Sequence, residues 1–136
     1  RELVVFTNGC FDIIHSGHIH LLREAKGLGA KLIVGLNSDL SVRRLKGASR
    51  PINNQDDRLM ILEAIRYVDQ VLIFDQDDPL ELIMMLKPDI LVKGSDYSVD
   101  SIVGADFVIK NGGYVKTFDL IDGKSSSEII KKLDGQ

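Results

Sequence analysis

Apolar and polar positions along the chain alternate between two periods. Leu3 to Thr7 is a short apolar, β-branched run with the look of a buried strand, and Asn8-Gly9 follows as a turn. From Gly17 to Leu28 the apolar residues Ile19, Leu21, Leu22, Ala25 and Leu28 fall at helical spacing, and Gly29 is a natural stop. Lys31 to Leu36 reads as a second strand, with Asn37-Ser38-Asp39 as a helix cap. Arg43 to Asn54 is polar, carries Gly47 and Pro51, and reads as a loop. A helix over Gln55 to Tyr67, a strand over Gln70 to Phe74, a helix over Pro79 to Leu86 and a strand over Asp89 to Val92 follow. Val99 to Lys110 is expected as a helix ending near Asn111-Gly112-Gly113, Tyr114 to Phe118 as a fifth strand, and Ser125 to Leu133 as a last helix.

Strand and helix thus alternate five times. The expected fold class is α/β, a five-stranded parallel sheet with helices on both faces, in one domain over residues 1–136. Ligands of such sheets bind at the carboxyl ends of the strands. Residues 8–18, 37–39, 93–97 and 119–127 all follow strands, so one crevice can collect them.

Composition narrows the chemistry. The 136 residues are 44% hydrophobic and 27% charged, with a net charge of -3, which argues against a general nucleic-acid binder. A single cysteine, Cys10, precludes an internal disulfide and fits a reducing compartment. No apolar run approaches a membrane span, and the chain enters its first strand without a charged-then-apolar leader, so a cytoplasmic location is expected. The absence of an initiator Met fits a processed chain or one domain of a longer protein.

The strongest local signal is the loop Gly9-Cys10-Phe11-Asp12-Ile13-Ile14-His15-Ser16-Gly17-His18. A helix beginning near Gly17 places His15 and His18 on one side of its first turn, where free N–H groups and the helix dipole favour phosphate. Gly9 and Gly17 leave room for a ligand to approach the backbone, and Asn8 and Cys10 set small polar groups beside them. All 3 histidines fall within six residues, but the spacing of His20 points it elsewhere. A zinc centre wants three or four ligands, and with no second cysteine and no histidine after residue 20 no metal ligands are assigned. Cys10 as a covalent nucleophile with a histidine base is an alternative that the flanking glycines and following helix fit less well.

This loop resembles the signature of the cytidylyltransferase-like, His-x-Gly-His nucleotidyltransferases. The resemblance covers nearly the whole chain and implies a Rossmann-like fold acting on CTP or ATP with Mg²⁺. Arg58 to Val71 is similar to the matching helix and strand of the glycerol-3-phosphate cytidylyltransferases, and Asp122 to Ser127 to their late phosphate-binding segment. Those enzymes usually have Thr in place of Cys10, Arg in place of Leu120 and Trp in place of Tyr97. Thr7 to Asp12, Arg44 to Gly47 with Arg50-Pro51, and Leu91 to Tyr97 look more like the D-glycero-β-D-manno-heptose 1-phosphate adenylyltransferases. These stand alone or form one half of a bifunctional kinase–adenylyltransferase.

The resemblance implies transfer of AMP from ATP to heptose 1-phosphate, giving ADP-heptose and pyrophosphate, in surface-polysaccharide synthesis. It implies catalysis by His15, His18 and Lys46, and nucleotide contacts from Asn8, Gly9, Cys10, Phe11, Gly17, Lys93, Gly94, Ser125, Ser126 and Ser127. Asp12, Asp39, Arg50 and Arg58 are expected at the acceptor. The nucleophile is already an anion, so positioning and charge stabilisation carry the reaction. A homodimer and a fused or separate sugar kinase are the expected partners. The alternatives are a polyol-phosphate cytidylyltransferase and an inactive nucleotide-binding regulatory module.

Overall fold

The computed structural model describes residues 2–94 and 101–119. The elements in chain order are β1 (Val4–Gly9), α1 (Ser16–Lys26), β2 (Lys31–Asn37), α2 (Asp39–Lys46), α3 (Gln55–Glu63), β3 (Gln70–Phe74), α4 (Leu80–Leu86), β4 (Ile90–Gly94), α5 (Ala105–Lys110) and β5 (Tyr114–Phe118). The strands form one parallel sheet in the order β3-β2-β1-β4-β5. This is the Rossmann-like arrangement expected from the alternating periods.

Side-chain alternation splits the interior into two layers. Val5, Leu32, Val34, Leu36, Ile90 and Val92 point to one face, where Leu22 and Ala25 of α1 and Leu62 of α3 cover them. Phe6, Ile33 and Leu91 point to the other, under Ile83 of α4 and Ala105 and Val108 of α5. Helices therefore lie on both faces.

The sheet parts at its centre. β1 pairs with β2 over its whole length, from Val4 opposite Lys31 to Gly9 opposite Leu36. With β4 it pairs only at Val5 opposite Ile90 and Phe6 opposite Leu91. Beyond that point the Thr7 hydroxyl donates to the Val92 carbonyl at 2.9 Å in place of a ladder bond. The strand order changes direction here, and a crevice opens between the ends of β1 and β4.

Local boundaries differ from the sequence reading for identifiable reasons. Asn8 and Gly9 continue β1 rather than turning, because β2 offers them partners. Part of the polar stretch from Arg43 is helical. Ser38 caps α2 by accepting from the Ser41 amide, and Gly47 ends it with φ +104. The helix from Gln55 ends at Glu63 instead of Tyr67. α5 starts only at Ala105, since Gly104 has φ +88 and a Cβ there would stand 2.7 Å from Ile83 Cδ1. Residues 95–100 and the expected helix from Ser125 to Leu133 lie outside the described residues. Among the described residues no helix is long and apolar enough to cross a membrane.

Candidate active site

The signature loop leaves β1 with an unusual backbone. Phe11 has φ +47, a left-handed conformation that a bulky residue keeps only where its surroundings hold it. Its ring lies over Gly9, where a Cβ would come within 3.0 Å of Phe11 Cε2. Gly9 is therefore required by Phe11 as well as by any ligand. Asp12 is buried, and its carboxylate accepts from the Ile52 and Asn53 amides and from Arg50 Nε, each at 2.8 Å. Burial alone would raise its pKa; the bonds from Asn53, Ile52 and Arg50 outweigh burial and hold it below the usual value.

Two histidines cap their own helix. His15 is the N-cap of α1, and its Nδ1 accepts from the Gly17 amide at 3.0 Å. His18, three residues on, accepts at Nδ1 from the His15 amide at 3.1 Å. This is the reciprocal logic of a capping box with imidazoles in both roles. A backbone N–H can only donate, so both Nδ1 atoms are unprotonated and each neutral ring carries its hydrogen on Nε2. The ring centroids are 4.0 Å apart. Burial, then the neighbouring His15 and Lys46, push the His18 pKa down to about 4, so this ring is a neutral donor at neutral pH.

This corrects the expectation of free amides at the helix start. Gly17 N is taken by His15 Nδ1, and His18 N and Ile19 N by the His15 carbonyl. The two imidazoles thus occupy this helix start in place of free amides, and the His15 Nε2 is itself buried. Gly17 itself is buried, and His20 faces Arg23 on the exposed side.

A cavity of about 440 Å³ occupies the crevice. Of the residues expected at the site, Asn8, Gly9, Cys10, Lys46, Lys93 and Gly94 line it. Lys93 Nζ reaches 3.4 Å from the Asn8 carbonyl across the parted strands. Phe11, Asp12, His15, Gly17 and His18 are not among its lining residues; the two histidines begin the helix that contributes Leu21 to it. Asn37, in the segment 37–39 expected at the crevice, also lines it; Thr7, Leu45, Asp77, Asp78, Pro79, Ser101, Ile102 and Val103 complete the lining and were not singled out from the sequence. Asn37 ends β2 and the pair Asp77-Asp78 follows β3, and for Asp77-Asp78 that position was the available signal. Ser125, Ser126 and Ser127 lie outside the described residues.

None of the four residues expected at the acceptor, Asp12, Asp39, Arg50 and Arg58, lines the cavity. Arg58, expected at the acceptor, is wholly buried. Its Nε donates to the Asn53 carbonyl, its Nη1 to the carbonyls of Cys10 and Asn37, and its Nη2 to Asp39 Oδ1, all within 2.7–2.9 Å. Asp39 is correspondingly held by Arg58, and its amide donates to Gln55 Oε1. Arg50 is nearly enclosed by its pair with Asp12, and its Nη2 has no hydrogen-bond partner among the described residues. Arg58 and Asp12 thus serve the framework of the loop rather than facing the cavity. Burial, opposed by Lys46, Arg58 and Arg50, raises the Cys10 pKa, so its thiol stays protonated at neutral pH and is a weak nucleophile. Among the described residues no group of three or more His, Cys, Asp or Glu could hold a metal ion.

Comparison with known proteins agrees with this geometry. The cytidylyltransferase-like family profile matches residues 6–132. The bifunctional protein HldE of Campylobacter fetus is 56% identical over 134 residues, covering 98% of this chain and 28% of that protein. HldE of Marinomonas sp. is 53% identical over 133 residues, with the same coverage of each chain. The chain thus spans little more than a quarter of these relatives. A lipopolysaccharide core biosynthesis protein from Thermoplasma volcanium superposes with a TM-score of 0.71 at 32% identity, over 89% of this chain and 98% of that one. With the sheet order, the self-capped histidine pair and matches that run along nearly its whole length, the chain belongs to the cytidylyltransferase-like family and is a nucleotidyltransferase.

Proposed function

We propose that this domain transfers AMP from ATP to D-glycero-β-D-manno-heptose 1-phosphate, forming ADP-heptose and pyrophosphate. The observation that carries the reading is the pair of imidazoles whose Nδ1 atoms are occupied by their own helix cap, beside a cavity with Lys46 and Lys93 on its walls. A phosphate oxygen of the acceptor attacks the α-phosphorus in line, the bond to the bridging oxygen breaks, and pyrophosphate leaves with that oxygen. The Nε2–H donors of His15 and His18 stabilise charge on the α-phosphate, and Lys46 and Lys93 balance the triphosphate. No proton has to be removed from the attacking group. Mg²⁺, bound through the triphosphate oxygens, would supply screening of their charge. Ser125 to Ser127 are assigned to the β- and γ-phosphates, and Asp39 and Arg50 to the neighbourhood of the acceptor.

The choice of ATP and heptose rests on the loop and Lys93–Tyr97 segments that resemble the heptose branch, and on the relatives named above. The HldE relatives are bifunctional by name, in line with a second activity in the longer protein, for which a sugar kinase is proposed. A homodimer in the cytoplasm completes the proposal. The test is pyrophosphate release with ATP or CTP against a panel of sugar and polyol phosphates. Turnover with ATP and heptose 1-phosphate is expected. Turnover only with CTP and a polyol phosphate, or ATP binding without release for any acceptor, overturns the reading. His18→Ala should lower kcat by on the order of 10²-fold.

A further inference from the structure

We infer that Arg58 is a positioning residue for nucleotidyl transfer: it acts through Cys10 and Phe11 to fix the ring of His18. The guanidinium is wholly buried and sits at the junction of three segments. It reaches the Cys10 carbonyl at the exit of β1, the Asn37 carbonyl at the end of β2 and the Asn53 carbonyl in the loop before α3. Its remaining contact is Asp39, the first residue of α2. Four acceptors on four sides demand the planar fork of an arginine; an ammonium has neither the reach nor the geometry.

The effect passes through one strained residue. Phe11 has φ +47 and lies between two pinned neighbours. Cys10 is held through its carbonyl by Arg58 Nη1 at 2.8 Å. Asp12 is held through its carboxylate by Ile52, Asn53 and Arg50, and through its carbonyl by Asn53 Nδ2 at 2.9 Å. Asn53 in turn accepts from Arg58 Nε, which closes the circuit. A backbone forced into this conformation persists only while both flanks are fixed. The Phe11 ring then rests against His18, with centroids 5.3 Å apart and planes tilted by 52°. Releasing Cys10 lets Phe11 relax toward negative φ, and the ring that backs His18 moves with it.

The inference rests on nucleotidyl transfer and is independent of which acceptor is used. The test is a double-mutant cycle in the intact chain with Arg58→Lys and His18→Ala, following pyrophosphate release. Arg58→Lys alone should lower kcat by roughly 10–100-fold while the KM values for nucleotide and acceptor move less than threefold. In the His18→Ala background the same change should lower kcat by less than threefold, because the group it positions is gone. Equal losses in both backgrounds overturn the inference, as does a loss confined to the acceptor KM, which would mean direct contact.

If the lysine variant does not fold, Asp39→Asn carries the same cycle. It replaces the ion pair with a neutral amide oxygen that can still accept from Nη2, which weakens the hold on the fork, and a smaller loss that again disappears without His18 is expected; additive losses overturn the inference. Nitrogen-15 spectra of the imidazoles provide a readout that needs no turnover. In the unsubstituted protein both rings should show the Nε2–H form alone, and in Arg58→Lys His18 should populate both neutral forms. Retention of the single form overturns the inference even if the substrate reading above has failed for other reasons.

Discussion

Replacing His18 by Asn should remove a specific pH dependence from the stability of this protein. In the fold the ring's pKa falls from 6.5 to about 4, with burial the main cause and the charges of His15 and Lys46 adding to it. Between those two values the unfolded chain holds more protons at this position than the native one, so stability rises with pH. The contribution is fully present above about pH 6.5, is lost as the pH falls toward 4, and changes no further below that. A factor of ten in proton affinity is worth about 1.4 kcal/mol, which puts the ceiling at roughly 3 kcal/mol. The ring is only partly enclosed, and solvent screening brings the expectation to roughly 1–2 kcal/mol.

Asn is the informative substitution because its side-chain oxygen can still accept from the His15 amide and preserve the cap. Asp12 and Asp69 also have lowered values, but their contributions are lost only below about pH 3.8, outside the window. Burial opposes the lowering at Asp69, and Lys26 and the Leu32 amide prevail over it. Urea unfolding of both proteins at pH 7 and pH 4.5, with unchanged slopes, measures the difference. The native protein should lose roughly 1–2 kcal/mol more than His18→Asn over that interval. Equal losses would refute a ring held neutral by its surroundings, and with it the account of His18 as an uncharged Nε2–H donor.

Three further outcomes follow from the same geometry. Asp12→Ala strands the nearly buried Arg50 and two amides, and should cost about 3 kcal/mol, read as a fall in Tm of roughly 10 °C; a fall of under 3 °C would contradict the clamp. Gly35→Ala places a Cβ 2.7 Å from Phe6 Cζ within the central pair of strands, and an unchanged thermal midpoint would contradict an expected loss of about 1–3 kcal/mol. Cys10 is the sole thiol and lines the cavity, so alkylation should abolish turnover, accelerate above pH 9 where the buried thiol ionises, and be blocked by ATP; alkylation at an undiminished rate in saturating ATP would place the nucleotide elsewhere.

The sheet was legible because buried parallel strands such as Lys31 to Asn37 write themselves as continuous apolar runs. The place of the signature loop, between a strand and a helix next to the point where the strand order reverses, was legible from the apolar runs that flank it. The role of Arg58 was not. An arginine in a helix that starts with Gln55-Asp56-Asp57 looks solvated, and only the tertiary fold reveals three carbonyls converging on it. The same holds for Asp12, whose partners lie about forty residues away. Sequence periodicity also could not show that the histidines occupy their own helix amides, since His is an unusual N-cap and the expectation was a bare helix end. The late start of α5 turned on one left-handed glycine inside an otherwise helical pattern.

The cleft that opens where β1 parts from β4 has two banks of chain. On one bank stand the signature loop and the ends of β1 and β4, bound together by Thr7 and Lys93. On the other stand α2 and the connection after β3, which bring Leu45, Lys46 and Asp77 to Pro79 to the rim. Loops of this kind tolerate insertion and exchange far better than the strands that carry them. A lineage can therefore rebuild the connection after β3 from Asp77 to Pro79 while inheriting the strand ends and Lys46, so that the shape of one rim can change through successive edits without disturbing the sheet.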